Sequence, residues 1–194
     1  MTRIVLIHAG PTQWDVDGRL AGNHPLPLTT LGHATIAGIV QSLTHPVTAV
    51  YCFKKNEACE QAARIVATQF KLRVQDSVAL DEVNLGLWQG LTITELRARH
   101  PTAFGQWEED PLAVRPPQGE TLDEAIARLR AGLRKILMRK RGVTIVLPLR
   151  PLSMQITRGL LLREAPAAVA GHLHQVSAVE TIEIANDQLQ QFIS

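Results

Sequence analysis

Among the side chains in the first 82 residues that could activate water, carry protons or hold a hard cation, His8, Asp15, Glu57 and Glu82 form one candidate set. Three carboxylates and an imidazole make an oxygen-rich donor set of the kind that suits Mg²⁺ or Mn²⁺, and such a set could run metal-assisted hydrolysis. His8 could also act as a nucleophile, and Cys52 beside His8 would form a thiol–imidazole pair. Each has a plainer reading. A cysteine closing a short apolar run is commonly just buried. Glu57 follows Asn56 in what reads as the first turn of a helix, where the macrodipole favours a carboxylate by about 0.3–1 kcal/mol. His172 and His174, spaced i, i+2, would share one face of a strand, yet no third metal ligand accompanies them and they read as solvent-facing. Arg134, Lys135, Arg139, Lys140 and Arg141 cluster at a predicted helix end, where cations complement the dipole. The absence of an aromatic platform argues against nucleic acid as the partner of that cluster. The expectation is of no cofactor and no resident metal.

For such groups to act together, the chain must carry them to one place. Residues 3–7 and 143–147 are short apolar runs that read as buried strands, and 47–52 reads as another strand. Residues 30–43 bear Leu31, Ala34, Ile36, Ile39, Val40 and Leu43 at near-helical spacing. A helix capped by Asn56 is expected over 56–70. Thr121-Leu122-Asp123-Glu124 is a capping box that opens a long helix to about residue 140, and a further helix is expected over 153–163. Residues 178–185 and 189–193, joined at Asn186-Asp187, read as a closing hairpin. Alternating strands and helices imply an α/β fold, a mostly parallel sheet with helices on both faces in three layers. Open α/β sheets place their sites beyond the C-terminal strand ends. His8, Ala9, Cys52 and Leu149 all fall at such ends, so they are expected to converge on one cleft.

With 194 residues and 45% hydrophobic content, the chain can bury one full core, and no linker or break in composition divides it. A single domain over 1–194 is expected. The net charge of +2 points to neither a polyanion nor a membrane surface, and no apolar run approaches the roughly 18 residues of a spanning helix. Two cysteines and no export signal make a reducing cytoplasm the expected compartment.

The stretch Leu6-Ile7-His8-Ala9-Gly10-Pro11-Thr12-Gln13-Trp14-Asp15 resembles the Leu-Ile-Arg-His-Gly-Pro-Thr-x-Trp-Asn signature of the histidine phosphatase (phosphoglycerate mutase-like) superfamily. Gly18-Arg19-Leu20-Ala21-Gly22, Pro27-Leu28-Thr29-Thr30-Leu31-Gly32, Leu80-Asp81-Glu82 with Leu85-Gly86-Leu87-Trp88-Gln89-Gly90, and Pro117-Gln118-Gly119-Glu120-Thr121 are similar to further family segments, in the family's order. The resemblance implies a phosphoglycerate mutase-like fold and a phosphate pocket of two His, two Arg and an acid. It places Ala9 at the nucleophilic His, His8 at the first Arg, Glu57 at the second Arg, Leu149 at the second His and Glu82 at the acid, with Asp15 and Arg19 lining the same pocket.

A methyl group cannot attack phosphorus. Loss of the nucleophile from a catalytic unit costs on the order of 10⁶ in rate. Two unit charges about 4 Å apart in a partly buried site interact by roughly 4 kcal/mol, so Glu in place of Arg could swing phosphate binding by about twice that. The resulting expectation is a catalytically inactive relative in which Glu82 is a relict acid, and whose altered cleft has a binding or assembly role. Its partner would be another protein or a non-phosphorylated small ligand, with a homo-oligomer left open. The alternative is a phosphatase or metal-assisted hydrolase with changed chemistry using Asp15, Glu57, Glu82 and His8.

Overall fold

A computed structural model describes residues 1–138, 140, 142–171 and 177–193. The strands are β1 (Thr2–His8), β2 (Ala49–Cys52), β3 (Val74–Asp76), β4 (Thr144–Leu149) and β5 (Val179–Ile184). They form one sheet in the order β3-β2-β4-β1-β5. The first four are mutually parallel, and β5 runs antiparallel along β1. The helices are α1 (Gln13–Val16), α2 (Thr30–Ser42), α3 (Glu57–Phe70), α4 (Ile93–Arg99), α5 (Pro101–Glu109), α6 (Leu122–Leu137), α7 (Pro151–Leu162), α8 (Pro166–Gly171) and α9 (Asn186–Ile193).

Strand alternation explains the layers. Successive side chains of a strand face opposite ways, and both faces here are apolar. Ile4 and Leu6 of β1, with Ile145, Leu147 and Leu149 of β4, join a core that includes Leu129 and Leu133 of α6 and Ile156 of α7. Val5, Ile7 and Val146 face the other way, onto Ile36 of α2 and Ala62 and Val66 of α3. Parallel strands covered on both sides read as continuous apolar runs, which is the pattern that marks β1 and β4 in the sequence.

Local signals set the helix starts. The Asn56 side chain accepts from the Cys59 N–H at the head of α3. At α6 the Thr121 hydroxyl accepts from the Glu124 N–H while the Glu124 carboxylate accepts from the Thr121 N–H, the reciprocal arrangement of a capping box. That helix ends at Leu137, short of the expected 140.

The chain's last segment differs from expectation. Residues 189–193 are not the second strand of a hairpin; they belong to α9. The Gln188 side chain reaches back to accept from the Ala185 N–H, and Leu189, with no exposed surface, and Phe192 lie at i, i+3 on the face turned to the core. Helical spacing outweighs alternation there. Among the described residues, no helix is long and apolar enough to cross a membrane.

Candidate functional site

β1 and β4 end side by side, with His8 opposite Leu149 in the register. Beyond them the Ala9 N–H donates to the Leu149 carbonyl at 2.8 Å, and the two segments part, toward α1 on one side and α7 on the other. The side chains that follow fall into three groups.

Arg150, 3% exposed, is the N-cap residue of α7. Its guanidinium donates to the Ala9 carbonyl at 2.5 Å and to Asp15 Oδ1 at 2.7 Å. The other Asp15 oxygen accepts from the Thr12 N–H at 2.6 Å and the Thr12 hydroxyl at 2.7 Å, closing a capping box at α1. Burial alone would raise the Asp15 pKa, but the hydrogen bond and charge of Arg150, with the two Thr12 bonds, hold it below the usual carboxylate value. Gly10 permits a close approach here: a Cβ at that position would lie 3.0 Å from His8 Nε2 and 3.1 Å from Arg150 Nη1. The imidazole and the guanidinium therefore lie against one stretch of backbone. Burial first, and then the Arg150 charge, lower the His8 pKa to about 4 against the pull of Asp15. His8 is neutral at pH 7, and its buried Nε2 has no partner among the described residues.

Glu82, 3% exposed, lies at the N-terminus of α7. One of its oxygens accepts from the Val83 and Ser153 N–H groups at 2.6 and 2.7 Å, and the other from the Leu152 N–H at 2.9 Å. A helix N-terminus is a ready anion site, and here the chain's own acid fills it. Burial outweighs these hydrogen bonds and the Arg150 charge, and pushes its pKa up to about 7.

The third group lines a cleft of about 390 Å³ in front of these residues. Asp15, Arg19, Glu82 and Arg150 stand on its wall with Leu20, Leu85, Trp88, Ile93, Phe104, Trp107 and Leu152. Arg19 donates to the Gly90 carbonyl at 2.7 Å and to Glu95 at 3.2 Å.

Of the residues singled out from the sequence, Asp15, Arg19 and Glu82 are thus brought to one wall, with His8 packed beside Arg150 next to them. Ala9 and Leu149, both without exposed surface, lie in different apolar layers on opposite faces of the sheet, and neither is on the cleft wall. Glu57 is exposed and accepts from the Gln61 side chain at 3.2 Å, in the first-turn position its sequence context suggests. Among the described residues no group of three or more His, Cys, Asp or Glu side chains is placed to hold a metal ion, so the four-residue donor set is not assembled. His172, His174, Arg139 and Arg141 lie outside the described residues.

Cys52 is buried in the apolar layer of α2 and α3. Burial, then the Glu60 and Asp76 charges, push its thiol up to about 12, and burial raises Cys59 well above its ordinary value. Neither thiol is available as a nucleophile. Titration of native protein with Ellman's reagent is expected to leave both cysteines unmodified over minutes, and both should react at once in denaturant. Prompt reaction of either native thiol would contradict this burial.

Arg150, like Ile93, Phe104 and Trp107 of the cleft wall, was not singled out from the sequence. A signal existed: it is the only charged residue between Arg141 and Arg158, at the C-terminal end of a buried parallel strand. A lone cation there must find an anion or bear a large desolvation cost.

A family model described as Histidine phosphatase superfamily (branch 1) matches residues 4–191. A bifunctional protein of Mycobacterium tuberculosis is 27% identical over 185 residues, covering 90% of this chain. The match spans 47% of that relative, so this chain corresponds to about half its length. A metal-independent phosphoserine phosphatase of Arabidopsis thaliana is 28% identical over 182 residues, covering 91% of this chain and 74% of the relative. Among solved structures, YhfR of Bacillus stearothermophilus superposes with a TM-score of 0.84 at 23% identity, covering 96% of this chain and 93% of the other.

Proposed function

The chain belongs to the histidine phosphatase superfamily, and from that premise we propose that it is a catalytically inactive member, one domain over residues 1–194, whose altered cleft binds a non-phosphorylated small ligand or a protein partner in place of phosphoryl transfer. The observation that carries this reading is the Arg150–Asp15 pair. Beside Ala9, at the strand end to which the family resemblance assigns the nucleophile, a buried guanidinium is held between the Ala9 carbonyl and the Asp15 carboxylate. A cation fixed in this way by the protein's own carboxylate is already satisfied. Glu57, on the second expected Arg position, faces solvent, and Glu82 is engaged by three backbone N–H groups. Among the described residues no imidazole, thiol or hydroxyl side chain lines the cleft.

One observation favours a second reading. His8 is neutral at pH 7, with Nε2 unpartnered among the described residues, and a neutral imidazole is the nucleophilic form. Its Nε2 is closed off from solvent, however, and His8 does not line the cleft, so an ester bound there does not meet it.

The test is an assay of para-nitrophenyl phosphate hydrolysis and phosphoglycerate mutase activity over pH 5 to 8, with Glu82→Gln and His8→Ala as controls. Rates at background are expected for all three proteins. Turnover that survives repurification and disappears in either variant would overturn the inactive reading.

A further inference from the structure

Resting on the reading that the cleft binds rather than turns over its ligand, we infer that its ligand is a neutral, ring-bearing apolar molecule. One wall is aromatic: Trp88 meets Phe104 and Trp107 edge to face, with ring centroids 5.8 and 5.5 Å apart. Leu20, Ile93 and Leu152 complete an apolar lining. The volume of about 390 Å³ lies within the range of small-molecule sites, which are largely apolar with a few orienting polar groups.

Charge decides the ligand class. Both guanidiniums on the wall are already matched, Arg150 by Asp15 and the Ala9 carbonyl, and Arg19 by Glu95 and the Gly90 carbonyl. A phosphate would compete with those carboxylates and would face Glu82, which fills the α7 N-terminus. The carboxylates are equally committed: Glu108 at the cleft's edge receives Arg97 at 2.6 Å. An ion entering the cleft would give up water without gaining a free counter-charge among the described residues, an expensive exchange. An uncharged ring loses little water and gains the apolar walls.

The test uses N-phenyl-1-naphthylamine as a fluorescent probe at pH 8, with 1-naphthol and 1-naphthyl phosphate as competitors that differ only by the phosphoryl group. Probe emission is expected to rise saturably while tryptophan emission falls, and 1-naphthol should displace the probe. The phosphate ester should compete at least about ten-fold more weakly, because both guanidiniums on the wall are already paired with carboxylates. Ile93→Asp, which sets a carboxylate in the cleft, and Ile93→Trp, which fills it, should each weaken probe binding about ten-fold or more. Two variants guard against misfolding in one. Absence of saturable probe binding, or binding unchanged in both folded variants, overturns this inference and leaves the inactive reading standing. Tighter binding and hydrolysis of the naphthyl phosphate overturns the inactive reading together with this one.

Discussion

Asp15→Asn is expected to destabilise the native protein by about 3 kcal/mol, the lower end of the range for breaking a buried ion pair by removing one partner. The reason is what remains: Arg150, its side chain 3% exposed, keeps its charge but loses the carboxylate 2.7 Å away. The Asp15 side chain, 22% exposed, admits some water, which is why the lower end is chosen. In a chain of this size 1 kcal/mol shifts Tm by roughly 2–4 °C, so a fall of roughly 6–12 °C should be seen by calorimetry. Adding Arg150→Met removes the stranded charge, and an apolar replacement of a buried pair is often close to neutral. The double variant should therefore recover more than half of the loss, a strong coupling in a double-mutant cycle. The pH dependence follows from the lowered Asp15 pKa. A carboxyl with a depressed folded pKa contributes stability above its unfolded value, lost as pH falls through the folded value. The wild type should accordingly lose stability in acid more steeply than Asp15→Asn does. A single variant within about 0.5 kcal/mol of wild type would show that Arg150 does not depend on Asp15, and would remove the observation on which the inactive reading leans most.

The two-faced core was legible because β1 and β4 are apolar at consecutive positions, which only burial on both sides explains. The helix starts at Asn56 and Thr121 were legible because caps are local: a side chain and an N–H three residues on suffice. The last helix was not: Leu189 and Phe192 have the i, i+3 spacing of one helix face, but in so short an apolar segment the period is ambiguous until the core it faces is known. The same boundary divides the site. That Glu82 would be an acid of the cleft followed from the family resemblance of its segment. Its capture by the N-terminus of a helix 70 residues further along could not, because no local rule links the two segments. Glu57 shows the converse: its position in the resemblance suggested a pocket wall, whereas its first-turn context fits the exposed place it occupies. Arg150 was the hardest to read, as its significance lies in the pairing with Asp15 across 135 residues.

His8 and Glu82 have pKa values displaced in opposite directions, and their effects on stability should hide one another in the wild type. Glu82 rises from 4.5 to about 7. Between those values the folded state holds a proton that the unfolded chain has released, so stability falls as pH rises through the window. His8 falls from 6.5 to about 4. Between those values the unfolded chain holds the extra proton, so stability rises with pH. At about 1.4 kcal/mol for each pH unit that separates the folded from the unfolded value, each effect amounts to about 3 kcal/mol across its window. The two windows overlap from pH 4.5 to 6.5, where the slopes are equal and opposite. Urea unfolding at half-unit pH steps should therefore find the wild type nearly flat there apart from other groups. His8→Leu should expose the Glu82 slope, losing about 3 kcal/mol between pH 4.5 and 7 relative to its own maximum. Glu82→Gln should expose the His8 slope, gaining about the same between pH 4 and 6.5. Curves that stay parallel to wild type in both variants would mean that neither group titrates abnormally. Slopes of the expected sign would show that burial keeps the imidazole neutral and the carboxyl partly protonated near pH 7.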